Sequence, residues 1–282
     1  MYTAKVENKK GDILRLTGNE SYEVLDIDGL TPGNAQITTA ATGGMDGERL
    51  QHTRIEKRNI VIKIKPTEPV EQNRINLYKF FRLKEIIKFY YKNSNRDVYI
   101  EGYTESVTGS LFSEKEILQI SIICPDPFFK ELSPTVSDAS QVEALFEFPF
   151  AIRVEGVSIS EINMEKTKNI YNKSDLTTGV RIFLNARGKV KNPTIYNRNT
   201  GEKFGLNIVL QEGDRVTIST ISGRKSVILE RNGEIQNILK YVSKKPTWFQ
   251  LEPGDNAFVY EIEEGGENLM IEFETNVLYE GV

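Results

Sequence analysis

The chain has 282 residues, of which 39% are hydrophobic and 27% are charged, and its net charge is −4. This length allows two ordinary domains with separate cores, whereas the acidic balance argues against a protein whose task is to neutralise nucleic-acid phosphates. The single cysteine, Cys124, excludes an intrachain disulfide, and no run of 18 apolar residues predicts a membrane span.

The N-terminal part of the chain predicts short strands. No apolar segment of signal-peptide length follows Met1, so we expect the chain to be made and folded in a cytoplasm. Residues 13–17 alternate apolar and polar side chains and predict a strand or hairpin arm. Residues 22–27 and 59–65 predict two longer strands, the second with isoleucine at every other position.

A long segment separates these two strands, with roughly thirty residues between them. Connections longer than about 12–15 residues are usually functional or disordered, and the alternation in residues 35–38 favours order. We therefore predict a projecting loop or hairpin that forms a subunit interface; an ordinary surface loop with a solvated charged face is the alternative. The candidate interface residues are Gly43, Gly44, Met45, Asp46, Gly47, Arg49, Arg54 and Arg58.

Residues 72–92 predict one long helix, because apolar residues recur at spacings of three and four. That stripe consists of Leu77, Phe80, Leu83, Ile87 and Tyr90. Further apolar residues widen the stripe, which indicates contact with the domain's own sheet and with a neighbouring subunit. A thick helix lying in a groove of its own fold is the alternative.

The helix is followed by two predicted strands, at residues 98–103 and 118–123, with a connecting turn at 106–115. Pro125 and Pro127 then end the sheet. Residues 133–140 are small and polar and include a proline, which is typical of a linker.

We accordingly expect an N-terminal domain at residues 1–135, a linker at 136–145 and a C-terminal domain at 146–282. The C-terminal part alternates apolar and polar residues, for example from Val180 to Ala186, and its turn signals mostly recur every 10 to 13 residues. Asn232-Gly233 predicts a type I′ hairpin. The fold class is therefore mainly β, with an α+β first domain and a β-sandwich second domain.

Residues suited to catalysis or metal binding are scarce. His52 and Cys124 are the only histidine and cysteine, they lie far apart in the sequence, and they cannot supply a zinc site or a nucleophile–base pair. Residues 43–47 lack the lysine and hydroxyl residue of a phosphate-binding loop, and the ligands of a calcium loop do not follow Asp26. We expect no cofactor. Forty acidic residues always allow some carboxylate pair, but no local signature selects one.

Trp248 is the only tryptophan and therefore the one indole platform available for a sugar. A carbohydrate-binding module for attachment to a cell surface is the alternative function on this ground. Trp248 between apolar neighbours can equally be a core residue.

Several motifs, in this order, resemble the distal tail (Dit) proteins of siphoviruses, the long-tailed, non-contractile phages. In the first domain and at the C-terminus these are Asp28-Gly29-Leu30, Ala35-Gln36-Ile37, Gly44-Met45-Asp46-Gly47, Arg58-Asn59-Ile60-Val61-Ile62, the segment 119–129 and Tyr279-Glu280-Gly281-Val282. Asn192-Pro193-Thr194-Ile195, Gly213-Asp214 and Trp248-Phe249-Gln250-Leu251 resemble the galectin-like domain of the same family.

The resemblance implies a structural virion protein: a homo-oligomeric, six-fold ring at the tail tip that joins the tail tube to the host-recognition apparatus and encloses a channel for DNA. It implies a ring-forming β-sandwich with one long helix, followed by a galectin-like sandwich. The implied partners are the tail tube protein, the hub protein and receptor-binding or accessory baseplate proteins, without stable nucleic-acid binding, membrane association or enzymatic activity. The strand at 189–193, which matches the histidine-bearing strand of sugar-binding galectins, contains no histidine.

Overall fold

A computed structural model of the chain describes residues 2–41, 43–44, 46–110, 116–138 and 167–282. The chain divides into two compact units, unit 1 with Met1–Leu132 and Leu278–Val282, and unit 2 with Ser133–Val277. Each unit has its own cluster of buried apolar side chains. The predicted mainly β fold is confirmed.

Unit 1 is built on one antiparallel sheet in the order β2-β1-β7-β8-β9-β6-β3, with β10 pairing to β8 and β24, and β4 and β5 forming a separate pair. Its strands are β1 (Thr3–Asn8), β2 (Ile13–Arg15), β3 (Tyr22–Asp28), β4 (Ala35–Ala41), β5 (Glu48–Ile55), β6 (Arg58–Pro66), β7 (Ile86–Lys92), β8 (Asp97–Gly109), β9 (Leu118–Cys124), β10 (Phe129–Glu131) and β24 (Leu278–Tyr279).

The sheet forms because its central strands bury every second side chain. In β6, Ile60, Ile62 and Ile64 are fully buried while the residues between them remain partly accessible. Such alternation places one face of a strand on the core. The predicted strands at 22–27 and 59–65 are therefore confirmed as β3 and β6, which pair with each other.

The predicted long helix is wrong in its second half. The helix α1 (Val70–Phe80) has 11 residues and is the single α-helix in the described part of the chain. Lys84 has a φ of 66°, and the chain then continues as β7. Residues 86–92 pair with β1 on one side and with β8 on the other.

The error has a physical reason. Ile87 and Phe89 are buried two residues apart, which is the period of a strand, and Ile87 also lies seven residues after Phe80, which is a helical spacing. β-Branched and aromatic residues dominate this segment and favour a sheet over a helix. Leu83, which the helical stripe placed on the apolar face, is 59% exposed.

Unit 2 contains a seven-stranded sheet, in which β21 pairs beside the path β11-β23-β13-β18-β19-β20, a four-stranded sheet in the order β12-β22-β15-β16, and the pair β14-β17. The strands are β11 (Thr135–Asp138), β12 (Lys168–Asn172), β13 (Thr178–Ala186), β14 (Val190–Lys191), β15 (Thr194–Asn197), β16 (Lys203–Gly205), β17 (Val209–Leu210), β18 (Arg215–Ser219), β19 (Ser226–Arg231), β20 (Glu234–Asn237), β21 (Gln250–Leu251), β22 (Gly254–Glu261) and β23 (Leu269–Thr275).

The core of unit 2 joins side chains from both larger sheets, as in a β-sandwich. Ile182 and Phe273 come from the seven-stranded sheet, Phe204 and Phe258 from the four-stranded one, and all belong to one buried cluster. The predicted sandwich is thus confirmed. The hairpin at Asn232-Gly233 is confirmed as well, because both residues have positive φ, 52° and 79°.

The boundaries of unit 2 differ from the predicted domain boundaries. Residues 135–138 form β11, which pairs with β23, so part of the segment assigned to the linker belongs to a sheet. Residues 139–145 of that linker, the predicted start of the second domain at 146, and residues 111–115 of the predicted turn lie outside the described residues. Residues 278–282 belong to unit 1.

Candidate functional site

The segment between β3 and β6 forms a two-stranded hairpin. β4 pairs only with β5 within the described residues, and nearly every side chain of the two strands is exposed. The predicted projecting hairpin is therefore confirmed. An isolated two-stranded hairpin is marginally stable in water.

The backbone conformation of the hairpin turn explains why glycines occur there. Gly44 and Gly47 have φ angles of 81° and 87°, a conformation in which other residues are strained. Gly43 and Asp46 are exposed at the same turn, whereas Met45 lies outside the described residues.

One face of the hairpin is largely apolar, with Glu48 opposite Ala41 at the end near the turn. Residues directly opposite each other share a face, and Ala35 pairs with Ile55, Ile37 with Thr53, and Thr39 with Leu50. Ile37 is 64% exposed and Leu50 58% exposed. Three large aliphatic side chains, counting Ile55, therefore lie on one uncovered face.

The opposite face is basic. Gln36 pairs with Arg54, Thr38 with His52 and Ala40 with Arg49, which places the three basic residues in one row. The Arg54 Nε donates to Gln36 Oε1 at 2.7 Å. All three basic side chains are exposed.

A β-bulge at Gln51 creates this separation of faces. Thr38 pairs with His52 and Thr39 with Leu50, which leaves Gln51 as an extra residue in β5. If Gln51 were an ordinary strand residue and not a bulge, Leu50 would lie five residues from Ile55 and on the opposite face, because side chains alternate along a strand. The apolar face is not visible in the sequence for this reason, because apolar and polar residues do not simply alternate along β5.

Arg58 differs from the other candidate interface residues. It is only 4% exposed, and its guanidinium donates to the backbone oxygens of Gly29, Thr31, Pro127 and Glu280. Burial lowers the pKa of this guanidinium, although neighbouring negative groups oppose the effect. The expectation that Arg58 lies on the projecting surface is therefore corrected: its side chain bonds within unit 1.

Residues 278–282 also contact the part of unit 1 around Arg58. β24 pairs with β10, the Val282 amide donates to the Leu30 oxygen at 3.0 Å, and the Arg96 guanidinium donates to the Gly281 oxygen. The Arg96 guanidinium also lies 4.3 Å from the centre of the Tyr279 ring. The chain end thus contacts the segment from which the hairpin departs.

Trp248 is half-buried against the core of unit 2. Its ring meets the Phe204 ring edge-on, with centroids 5.1 Å apart, and the Lys225 ammonium lies 5.7 Å from its centre. Trp248 is therefore engaged within unit 2, and its role as a ligand platform stays a prediction.

The groups suited to chemistry lie apart. His52 is exposed on β5, whereas Cys124 is buried at the end of β9, where burial raises the pKa of its thiol to about 12. Within the described ranges, no group of three or more His, Cys, Asp or Glu side chains is arranged to hold a metal ion. The same part of the chain contains no helix with the length and hydrophobicity of a membrane span.

Comparison with known proteins adds two findings to this geometry. Residues 173–276 match the sequence model of a family described as siphovirus-type tail component, C-terminal domain. No curated protein matches the chain by sequence. Among solved structures, the chain is similar to the crystal structure of the Dit protein of phage SPP1, with a TM-score of 0.71, 12% identity, and coverage of 98% of this chain and 99% of that chain.

Two structures of the phage P2 baseplate in its activated conformation also match, each over 100% of both chains. The one with calcium has a TM-score of 0.57 at 10% identity, and the one with strontium has a TM-score of 0.53 at 11% identity. At such identities the similarity concerns the fold. Residues 173–276 are therefore similar to the siphovirus-type tail-component family, and the resemblance of the chain to phage distal tail proteins that its sequence indicated is confirmed.

Proposed function

We propose that this protein is a structural component of a phage tail tip, the ring that joins the tail tube to the host-recognition apparatus. The family match of residues 173–276 and the fold shared with the SPP1 Dit protein over nearly the whole chain support this role. The SPP1 protein is described as a paradigm of the hub adsorption apparatus in phages that infect Gram-positive bacteria. The protein would accordingly be located in the virion, after assembly in the host cytoplasm.

The observation that carries the ring proposal is the hairpin of β4 and β5. It exposes Ile37, Leu50 and Ile55 on one face, and unit 1 itself leaves that face uncovered. A hairpin that meets a different patch on the next copy makes a heterologous contact, and such contacts form a ring when the rotation from copy to copy closes. Gly43, Gly44, Asp46, Gly47, Arg49 and Arg54 lie on this element and remain the proposed interface residues, with Met45 between them in sequence.

The finer parts of the proposal concern geometry. Six copies would surround an open channel for DNA, with the tail tube protein on one side and the hub and receptor-binding or accessory baseplate proteins as further partners. The net charge of −4 suits a channel wall, because a strongly basic wall would retain DNA through counterion release. The protein would act by shape, without catalysis.

The ring is tested by light scattering and class-averaged electron micrographs of the purified protein, alone and with its tube and hub partners. Six-fold rings are expected. A monomer under all of these conditions would contradict the proposal.

The hairpin contact is tested by replacing residues 43–47 with a bulky β-branched sequence. The monomer should remain folded, because Gly43, Gly44, Asp46 and Gly47 are exposed, while ring formation should fall. Normal rings would show that the interface lies elsewhere. Replacing the exposed turn at Gly223 in unit 2 in the same way provides the matched control.

Unit 2 is proposed to be displayed to other tip proteins and not to bind simple sugars. A glycan array probed with the full chain should show no saturable binding. Saturable binding that is lost in Trp248→Ala would favour the carbohydrate-binding alternative.

A further inference from the structure

Two short segments join the hairpin to the rest of unit 1: the departing leg, residues 29–34, and the returning leg, residues 56–58. Arg58 links the two legs. Arg58 begins β6, three residues after the end of β5, so it belongs to the returning leg. Its Nη1 donates to the oxygens of Gly29 at 2.6 Å and Thr31 at 2.5 Å, which belong to the departing leg. A single planar guanidinium can hold several acceptors in fixed directions. Arg58 thus joins the two legs at the root of the hairpin, in addition to the backbone hydrogen bond from the Glu56 amide to the Asn34 oxygen.

The same guanidinium also binds the end of the chain. Its Nη2 donates to the Glu280 oxygen, and its Nε donates to the Pro127 oxygen at 2.7 Å. All four acceptors are backbone oxygens, and their positions depend on where these segments run. The guanidinium lies 4.9 Å from the centre of the Phe129 ring, which covers it from β10.

The chain end contacts the departing leg directly as well. The Val282 amide donates to the Leu30 oxygen at 3.0 Å. A Cβ added at Gly281 would lie 2.8 Å from Pro32 Cδ and 2.9 Å from Pro32 N, so the two segments are packed without a gap. Residues 280–282 are all partly buried.

We propose that residues 280–282 act as a strap that fixes the direction of the β4–β5 hairpin, with Arg58 as the positioning residue that joins strap and hairpin root. The strap lies in unit 1, and the chain reaches it only after tracing all of unit 2. Its consequence for assembly rests on the proposed ring, but the local effect on the hairpin does not. Arg58 and the closing Tyr279-Glu280-Gly281-Val282, two of the motifs that resemble distal tail proteins, would thus act together on the hairpin.

The test is amide hydrogen exchange on the full chain and on a chain that ends at Tyr279, which keeps the pairing of β24 with β10. Exchange in residues 29–34 and in the hairpin should accelerate about tenfold or more, since the hydrogen bonds that hold the root are lost. Exchange in β6 and β9 should stay as it is. Unchanged hairpin exchange, or equal acceleration throughout unit 1, would overturn the proposal.

Two substitutions test the strap without shortening the chain. Gly281→Val inserts a wedge against Pro32 while removing no charge, and Arg58→Lys keeps the charge but loses the planar fork. Both should accelerate exchange of the hairpin relative to β6, and trypsin should cleave sooner at Arg49, Arg54 and Lys57. Equal protection in these variants and the unaltered chain would contradict the proposed strap.

Arg74→Lys is the matched control, because Arg74 is also a largely buried arginine of unit 1 but bonds to Glu116. It should leave hairpin exchange unchanged relative to β6. Ring formation is measured on the same samples. If the unaltered chain forms no ring while the hairpin still loosens in the strap variants, the ring proposal fails and the strap stands.

Discussion

β5 and β6 are separated by only Glu56 and Lys57, yet every residue of β5 is exposed and every second residue of β6 is buried. Both strands carry large aliphatic side chains. The difference lies in their neighbours, because β6 lies between β3 and β9, whereas among the described strands β5 pairs with β4 alone. The burial of a strand is therefore set by the strands that flank it, and the aliphatic side chains of the hairpin stay exposed.

The largest expected effect concerns thiol reactivity in the two regions. Cys124 lies opposite Arg58 in the sheet, is fully buried, and has a thiol pKa of about 12 in place of 9.0. At pH 8 its thiolate fraction should be about a thousandfold smaller than that of an ordinary thiol. A cysteine introduced by Leu50→Cys, in a chain with Cys124→Ser, should label with a thiol reagent at an ordinary rate.

The two chains are compared by labelling under native conditions and again in denaturant, where the rates should converge. Fast native labelling of Cys124 would mean that the sheet beside the hairpin root opens readily. The contrast between the two regions would then fail.

The next effect is on stability. Ile62→Ala should lower the free energy of unfolding of unit 1 by about 3 kcal/mol, because Ile62 is fully buried and a cavity remains. Leu50→Ala should change it by less than about 0.5 kcal/mol, because the side chain is exposed. Urea unfolding at a low, fixed protein concentration measures both variants. Similar losses would show that the hairpin is covered within the monomer.

Much of the contrast between β5 and β6 can be predicted from the sequence, and the wrong prediction of a helix at residues 86–92 has an identifiable cause. The isoleucines of β6 repeat with a strict period of two, so their strand is predictable. Ile87 fits both the helical stripe and a strand. The β-branched and aromatic residues of this segment favour a strand, but the pairing of β7 with β1 and β8, which a single sequence does not reveal, is what establishes it.

The candidate site shows the same limit. The glycine-rich turn and the length of the segment between β3 and β6 predict the hairpin. The bulge at Gln51 interrupts the alternation of side chains in β5, so the apolar face cannot be recognised from the sequence. The burial of Arg58 depends on acceptors far away in the chain, the most distant being Glu280. No local pattern contains that information.

A charge pair in unit 2 extends the comparison to electrostatics. Asp214 is 2% exposed and accepts from Arg231 Nε at 2.8 Å and from the Gln211 amide at 2.7 Å. Burial by itself would raise the pKa of Asp214, but these hydrogen bonds and the charge of Arg231 outweigh it and lower the pKa. Asp214→Asn should destabilise unit 2 by about 2 kcal/mol at neutral pH.

The sign of the pH dependence follows from the lowered pKa. The stability contributed by Asp214 is fully present above its ordinary value of 3.8 and is lost as the pH falls through the lower folded-state pKa. Unfolding curves for the unaltered chain and Asp214→Asn should therefore converge below pH 3.8. Glu263→Gln is the control, because its partner Lys191 is solvent-exposed and the pair should add little. A constant gap between Asp214→Asn and the unaltered chain at all pH values would contradict this assignment.

The smallest effect is expected from deleting Gln51. The deletion converts β5 into a regular strand with the same cross-strand pairs, so Leu50 stays opposite Thr39 and on the face of Ile37. Gln51 is exposed and contributes no core contact, so unfolding should shift by less than about 0.5 kcal/mol. Ring formation should persist, because the apolar face of the hairpin is preserved. If rings are lost although the monomer is as stable as before, the partner recognises the bulge itself, and the alignment of the aliphatic side chains is not sufficient for the contact.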